Sequence, residues 1–206
     1  MFAPRPGLRT NGTRQASVVE GQIANKSRSS ETTVLGIDPG LTRCGYAVVQ
    51  VEKQTEIKLL SLGVLRTAPA QGLPGRLAEI AEEIESLIEQ YRPSAVAVEH
   101  IFFKENVKSA MSVAQVSGLV LSAAFRSGID VVQYTPKQVK LAIAGWGSAD
   151  KMQVQKMVKQ RLKLNTLPKP ADAADAAAIA LCHVASMGLS TKIADAMANA
   201  NQKGKS

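Results

Sequence analysis

The sequence predicts a mixed α/β domain in which a five-stranded sheet is flanked by helices. Three consecutive segments have strand-like composition, and helical and strand-like segments alternate after them. Three adjacent strands can form an antiparallel meander, and the β-α units that follow add further strands and covering helices. The element order β-β-β-α-β-α-β-α-α-α therefore predicts a mixed sheet with helices on both faces, which is a ribonuclease-H-like architecture.

The first predicted strand ends at an acidic residue. Val34 and Leu35 lead an apolar run into Asp38, which is followed directly by Pro39 and Gly40. A Pro-Gly pair after an apolar run marks a tight turn, so Asp38 is expected at the tip of a buried strand. The three leading strands are predicted over residues 33–38, 44–52 and 58–66.

Helices and two further strands alternate along the rest of the chain. Pro74 occupies a permitted first-turn position, and apolar residues recur at helical spacing until Arg92–Pro93 ends the first helix. The second helix is rich in small residues, which suggests burial against both the sheet and another body. Ser148 is expected to cap the fourth helix. The remaining elements are predicted as strands 95–99 and 129–134, helices 107–126, 151–162 and 172–186, and a short helix from Pro136.

Length and composition favour one folded domain. The chain has 206 residues, 45% of them hydrophobic, and we expect no apolar run as long as the ~18–20 residues of a membrane span. The protein is therefore expected to be soluble. We predict a disordered N-terminal extension over 1–32, a folded ribonuclease-H-like domain over 33–187, and a C-terminal tail over 188–206 that is loose or a frayed helix.

The cysteines and the N-terminal extension bear on location. Cys44 and Cys182 lie in apolar surroundings and form no CxxC pair, so they are expected to be reduced, buried thiols in a cytoplasmic protein. The extension has few acids, as an organellar transit peptide does, although a bacterial extension or an upstream start codon explains it equally well. We favour the bacterial interpretation.

Positive charge is concentrated in one third of the chain. The formal net charge is +8, and residues 101–165 hold ten Lys or Arg against three acids. Phosphate contacts supply most sequence-independent affinity for nucleic acid, so this distribution favours a nucleic-acid partner. A basic, solvated surface without a ligand is the alternative.

Three apolar elements each carry carboxylates. Asp38 and Glu99 end predicted strands, and Asp172 and Asp175 lie three residues apart on one face of a predicted helix. Buried carboxylates are costly unless paired, and no Arg or Lys stands beside them in the sequence, so a divalent metal is the simplest compensator. Oxygen ligands suit Mg²⁺ or Mn²⁺ rather than Zn²⁺, and two such ions would serve phosphodiester hydrolysis.

Two of these acids also have structural explanations. Asp172 follows Pro170–Ala171 and could cap its helix, and Asp38 could start the turn before Pro39. Glu99 has no comparable explanation, and the joint pattern of all four favours a metal site.

The chain resembles the RuvC family of crossover junction endodeoxyribonucleases, the bacterial Holliday junction resolvases. The resemblance covers residues 34 to 183 and rests on four motifs in order: GIDPG at 36–40 with Gly45, AVE at 97–99 with Phe102, GSADK at 147–151, and ADAADA at 171–176. The first motif alone is weak, since actin-like and other ribonuclease-H-like families share it. The four together are specific.

The resemblance implies an activity, a cofactor and partners. It implies Mg²⁺-dependent, paired nicking of four-way junctions in recombination and repair, leaving 5′-phosphate and 3′-hydroxyl ends, with two ions per subunit that Mn²⁺ could replace. It assigns metal binding and catalysis to Asp38, Glu99, Asp172 and Asp175. It also implies a homodimer and coupling to the RuvA–RuvB branch-migration complex. The second helix, with its small residues, is the candidate dimer interface, and burial of that helix within one subunit is the alternative.

Residues for DNA contact also follow from the resemblance. Phe102 matches an aromatic that stacks on a base, although the adjacent Phe103 could take that role and either could be a core residue. Lys140 and Lys151 match basic positions near the active site, and Lys151 is expected to act in catalysis as well. Lys104, Lys108 and Lys137 are further candidates for backbone contacts. His100 and His183 are assigned no catalytic role.

Three other functions are alternatives to junction resolution. A nuclease acting on RNA–DNA hybrids or flaps would need neither Phe102 nor a dimer. A non-catalytic junction-binding protein would not be helped by four acids near phosphates. A sugar-kinase or actin-like ATPase would need a second domain, for which the chain is too short.

Overall fold

The computed structural model of the chain describes residues 31–52, 56–100 and 107–203, with side chains described from 110 to 190 in the last range. The predicted N-terminal extension therefore lies almost wholly outside the described residues.

The described strands form one five-stranded mixed sheet in the order β3-β2-β1-β4-β5. β1, β2 and β3 pair antiparallel, whereas β4 lies parallel to both β1 and β5. The strands are β1 Glu31–Asp38, β2 Arg43–Glu52, β3 Glu56–Arg66, β4 Ala95–Glu99 and β5 Asp130–Tyr134. The predicted element order and mixed sheet are confirmed, because consecutive strands form the meander and crossover helices force the parallel pairs.

Five helices are described, and two differ from prediction. They are α1 Leu73–Tyr91, α2 Val107–Arg126, α3 Pro136–Ala144, α4 Lys151–Arg161 and α5 Ala171–Lys203. The prediction of Ser148 as the cap of α4 is wrong. Asp150 caps α4, since its Oδ1 accepts from the Gln153 backbone N–H at 2.7 Å and Gln153 Oε1 accepts from the Asp150 N–H at 2.9 Å.

Helix α5 also runs past its predicted end at residue 186. The segment after Gly188 contains four Ala and two Lys before the helix ends, both good helix formers, and one internal glycine costs only about 1 kcal/mol. The predicted C-terminal tail is thus a continuation of α5 as far as Lys203.

Each face of the sheet is covered by helices. On one face, α1 and α2 pack on Leu35, Ile37, Val48, Val96 and Val98. On the other, α3, α4 and α5 pack on Val34, Ala47, Val49 and Ala97. Successive strand residues alternate between these two cores, as the period of a pleated strand requires.

One segment of α5 is apolar and long. Ala171–Ser190 has a mean hydropathy of 1.4, so the expectation that no run reaches the length of a membrane span is wrong. In the fold, 56% of this segment is buried, and its alanines pack against β1 and β2. The segment is the central helix of a core. A buried core helix can be as long and as apolar as a membrane span.

Candidate active site

Helix α5 lies directly on the backbones of β1 and β2, because both strands present glycine beneath it. A Cβ atom at Gly36 would come within 2.3 Å of the Ala176 carbonyl oxygen, and one at Gly45 within 2.1 Å of the Asp172 carbonyl oxygen. No side chain fits at either position. The first turns of α5 are therefore held against the end of β1 that carries Asp38.

The sheet presents two carboxylates to the same helix. Residues 34 and 97 face α5, so alternation along each strand directs Asp38 and Glu99 to that face as well. β1 and β4 are parallel with Ile37 opposite Val98, which places the next residues, Asp38 and Glu99, side by side at one edge.

Helix α5 brings the other two acids to that edge. The helix begins at Ala171, so Asp172 lies within its first turn, and the alternative that Asp172 caps the helix is wrong. Asp175 is three residues further on and shares the face of Asp172. The charges of Glu99, Asp175 and Asp172 all act on Asp38, and the charge of Asp175 acts on Glu99 as well, so the four acids lie near one another.

The ionisation of the buried acids reflects this crowding. Burial raises the pKa of Asp38 from 3.8 to about 7, and the negative charges of Glu99, Asp175 and Asp172 add to the rise. Burial, followed by the charge of Asp175, also raises the pKa of Glu99. The folded protein thus disfavours four ionised carboxylates here unless positive charge is supplied.

Lys151 supplies part of that charge. It is the first residue of α4, and its Nζ lies 2.6 Å from Asp175 Oδ2. The hydrogen bond to Asp175 raises the pKa of Lys151, so the ammonium form is favoured. The two other lysines of this region, Lys137 and Lys140, lie on α3, and their described contacts include none with the four acids.

A second cation was missed by the sequence analysis. Arg43 donates from Nε to Asp172 Oδ2 at 2.7 Å, and its Nη2 lies 2.5 Å from the same oxygen. No Lys or Arg stands beside the acids in the sequence, but the fold brings Arg43 to Asp172 and Lys151 to Asp175, so a metal is not the sole compensator of their charge. Arg43 lies two residues before Gly45, so strand alternation places both on the face that α5 covers. This alternation was the sequence signal that could have identified Arg43.

The loop before Arg43 is held by a small polar network. Arg76 of α1 donates to the hydroxyls of Thr67, at 2.8 Å, and Thr42, at 2.6 Å. Thr67, which is buried, donates to the carbonyl of Leu41 at 2.6 Å. These bonds fix the connection between β1 and β2, and so the positions of both Asp38 and Arg43.

Several predicted residues lie outside the described part of the chain. Phe102, Phe103 and Lys104 are among them, and the side chain of Lys108 is not described. His183, which was assigned no catalytic role, is buried and shares a 2.8 Å hydrogen bond with the Tyr134 hydroxyl, so it is a packing residue. Cys44 and Cys182 are free and buried, as predicted.

The donor set fits a hard divalent cation. It consists of carboxylate oxygens, and two of the four acids have raised pKa values that a cation would relieve. Within the described residues, no three Asp, Glu, His or Cys side chains are already arranged as a ligand set. Asp172 and Asp175 are instead directed to Arg43 and Lys151.

Sequence comparisons with known proteins identify one family. Residues 34–183 match the family model described as crossover junction endodeoxyribonuclease RuvC. Curated relatives with that name include those of Clavibacter michiganensis, 48% identical over 72% of this chain and 74% of the relative, and of Rhodococcus jostii, 50% identical over 73% and 79%.

Solved structures agree with the sequence comparison. RuvC of Thermus thermophilus in complex with a Holliday junction substrate superposes with a TM-score of 0.74 at 40% identity, covering 78% of this chain and 97% of that one. The yeast mitochondrial resolvase Ydc2 shares the fold, with a TM-score of 0.57 at 15% identity over 75% and 78% of the two chains.

Proposed function

The chain belongs to the RuvC family of crossover junction endodeoxyribonucleases, and from that membership we propose that it resolves four-way (Holliday) DNA junctions in recombination and repair. It nicks two opposed strands of like polarity symmetrically and leaves 5′-phosphate and 3′-hydroxyl ends. The observation that carries the proposal is the meeting of Asp38, Glu99, Asp172 and Asp175 at one edge of the sheet, with Lys151 beside them.

The four acids are proposed to hold Mg²⁺, two ions per subunit, with Mn²⁺ as a possible replacement. Such ions lower the pKa of an attacking water and neutralise a leaving 3′-oxygen. The chain's own contribution is to keep the carboxylates together on two rigid strands and one helix. Lys151, held by Asp175, places a further positive charge where a phosphate would enter.

The resolvase is proposed to act as a homodimer, because two strands related by a two-fold axis require two active sites. One face of α2 supports this interface. Met111 is 56% exposed and Phe125 is 83% exposed, and Gly118 between them is also exposed. Apolar residues repeated along an exposed helix face suit a second copy of the chain better than water.

Other contacts and the setting complete the proposal. Phe102, or its neighbour Phe103, stacks on a base near the crossing, and Lys104, Lys108, Lys137 and Lys140 contact phosphates together with Lys151. The nuclease domain spans residues 33–187, with 1–32 as an extension. The protein works in the bacterial cytoplasm with the RuvA–RuvB branch-migration complex.

A cleavage assay on a synthetic four-way junction tests the proposal. Duplex DNA and an RNA–DNA hybrid are tested in parallel, each with Mg²⁺ and with a chelator. We expect paired, symmetric nicks on the junction alone, and only with the metal. Binding without cleavage would contradict a nuclease, and cleavage of the hybrid would instead indicate a ribonuclease H activity.

A further inference from the structure

Arg43 contacts one of the four acids, and the proposed function gives it no role. Its Nε and Nη2 both point to Oδ2 of Asp172, at 2.7 and 2.5 Å. The side chains are only partly exposed, 42% for Arg43 and 28% for Asp172. A single carboxylate oxygen therefore accepts a charge-assisted hydrogen bond from Nε, which is stronger than a neutral one, and lies in ion-pair contact with Nη2.

The contact is built into the fold. Arg43 begins β2 two residues before Gly45, so its side chain faces α5. Gly45 carries the backbone of Asp172 directly above it, and Arg76 holds the preceding loop through Thr42. Arg43 is the first residue of β2, where the backbone is held in place, and its guanidinium contacts Asp172 from that position.

We propose that Arg43 is a resident counter-ion that competes with divalent metal for Asp172, so that the DNA-free protein binds metal weakly. The inference rests on the proposed metal-dependent nuclease function. A guanidinium engages the Oδ2 lone pairs and repels a second cation at the same oxygen. A bound DNA phosphate brings negative charge that favours both cations, so the competition is strongest without DNA.

Mn²⁺ binding to the DNA-free full-length chain tests the role of Arg43, with free Mn²⁺ followed by electron paramagnetic resonance. Arg43→Gln should bind Mn²⁺ at least about tenfold more tightly than wild type, and Arg43→Lys should stay close to wild type. The matched control is Arg66→Gln. Arg66 is exposed and lies opposite Arg43 in the β2–β3 register. The Arg66→Gln substitution therefore removes the same charge from the neighbouring strand.

Unchanged Mn²⁺ affinity in Arg43→Gln would overturn the inference, as would equal gains in the Arg43 and Arg66 variants. Misfolding cannot produce a gain in affinity, so a positive result is unambiguous. If wild type cleaves junctions with metal while Arg43→Gln shows no gain, the nuclease stands and the role of Arg43 falls. If every variant neither binds metal nor cleaves, both proposals fall.

A different observation concerns the turn between α3 and α4, which exposes the chain's single tryptophan. Trp146 is 49% exposed, and two other large apolar side chains nearby in sequence, Leu141 and Met152, are 55% and 49% exposed. An indole left half in water on an otherwise ordered surface is a common mark of a binding contact.

The turn holds Trp146 in place. Gly145 ends α3 in the left-handed region, with φ of 90°, and donates to the Leu141 carbonyl at 2.9 Å. Ala149 is buried and anchors the other side of the turn, directly before the Asp150 cap of α4. The exposure of Trp146 therefore belongs to a fixed conformation.

Two lysines flank the turn that carries this tryptophan. The stem of Lys137 lies against Gly147, where an added Cβ would meet Lys137 Cγ at 3.0 Å. Leu141 lies one helical turn after Lys137 on the same face of α3. On the other side of the turn, Lys151 begins α4 and contacts Asp175. The turn that exposes Trp146 is therefore followed directly by a helix whose first residue contacts one of the four acids.

We infer that Trp146 stacks on a DNA base beside the cleavage site, with Lys137 and Lys151 on the neighbouring phosphates. The inference rests on the proposed junction-resolving function and adds a base contact separate from Phe102. Lysines next to an exposed aromatic fit an unstacked base and its backbone better than a neutral protein surface.

Because Trp146 is the only tryptophan, its own fluorescence tests the contact. The full-length chain is titrated with a four-way junction in chelator, and fluorescence anisotropy of labelled junction gives the dissociation constant independently. We expect saturable quenching of Trp146 fluorescence, with the same midpoint as the anisotropy titration.

Trp146→Ala should weaken junction binding about tenfold, and Trp146→Phe should weaken it less. Leu189→Ala, at an exposed apolar residue of α5, is the control and should bind as wild type does.

Two results would overturn the contact while leaving the function intact. One is junction binding by anisotropy without a change in Trp146 emission, and the other is wild-type affinity in Trp146→Ala. If wild type does not bind junctions at all, the proposed function and the base contact both fall.

Discussion

Gly45 of β2 lies directly beneath the backbone carbonyl of Asp172, so close that a Cβ atom at residue 45 would come within 2.1 Å of that oxygen. Gly45 is also the register partner of Asp38 on β1. The same glycine therefore stands next to one acid in the sheet and below another on the helix. The site depends on this close approach as much as on its carboxylates.

The first prediction concerns that approach. Gly45→Ala should lower junction cleavage strongly, because an added methyl must push the first turn of α5, with Asp172 and Asp175, away from Asp38. Overpacking against backbone also costs about 1–3 kcal/mol of unfolding free energy. Cleavage rate and chemical denaturation measured on the same preparation separate the two effects.

Gly188→Ala is the matched control for this substitution. Gly188 lies within α5 with no atom near its would-be Cβ, so the change should stabilise the protein by about 0.5–1 kcal/mol. Wild-type cleavage in Gly45→Ala would show that the close approach of α5 to β2 is not needed for the active site.

The second prediction separates binding from cleavage. Asp172→Asn and Glu99→Gln should each lower the cleavage rate about 100-fold or more, because each removes a carboxylate from the proposed metal site. Junction affinity in chelator should be retained or slightly increased, since negative charge near phosphates is removed. Normal cleavage by either variant would show that the metal assignment is incorrect.

The third prediction concerns pH. The folded-state pKa of Asp38 is raised to about 7, so the folded state binds a proton more tightly than the unfolded state does, and stability falls as pH rises from about 4 to about 7. Between pH 5 and pH 8, Asp38 should cost the chelated protein about 3 kcal/mol. Asp38→Asn should remove that loss.

Urea denaturation of both proteins at the two pH values measures the difference. The lowered pKa of the buried His183 acts in the opposite direction, but it is common to both proteins and cancels. Mn²⁺ at pH 8 should stabilise wild type more than Asp38→Asn. Equal pH dependence in the two proteins would contradict the raised pKa of Asp38.

The mixed sheet and a joint site for the four acids could both be predicted from the sequence alone. Periodicity is local, so strands and helices could be located, and parallel pairing of β1 and β4 then placed Asp38 beside Glu99. The ion pair of Arg43 with Asp172 could not be predicted in this way. Its partners are 129 residues apart, and their contact depends on how closely α5 approaches β2.

Errors at helix ends had a different cause. Ser148 and Asp150 are both good caps two residues apart, and only Asp150 has Gln153 three residues later to complete the capping box. Helix α5 continues past residue 186 because the helix propensity of the residues around Gly188 outweighs the cost of one glycine. The stacking role of Phe102 stays a prediction, since that residue lies outside the described part of the chain.

The fourth prediction concerns the proposed dimer. Phe125→Glu should shift the protein from a dimer toward the 21.9 kDa monomer, because the charge falls on the exposed apolar face of α2. Multi-angle light scattering gives the mass, and the junction assay should show single, unpaired nicks in place of symmetric pairs.

Leu73→Glu is the control. Leu73 is an exposed apolar residue at the start of α1, where a helix tolerates negative charge, so mass and paired nicking should not change. A Phe125→Glu protein that stays dimeric and nicks in pairs would place the interface elsewhere.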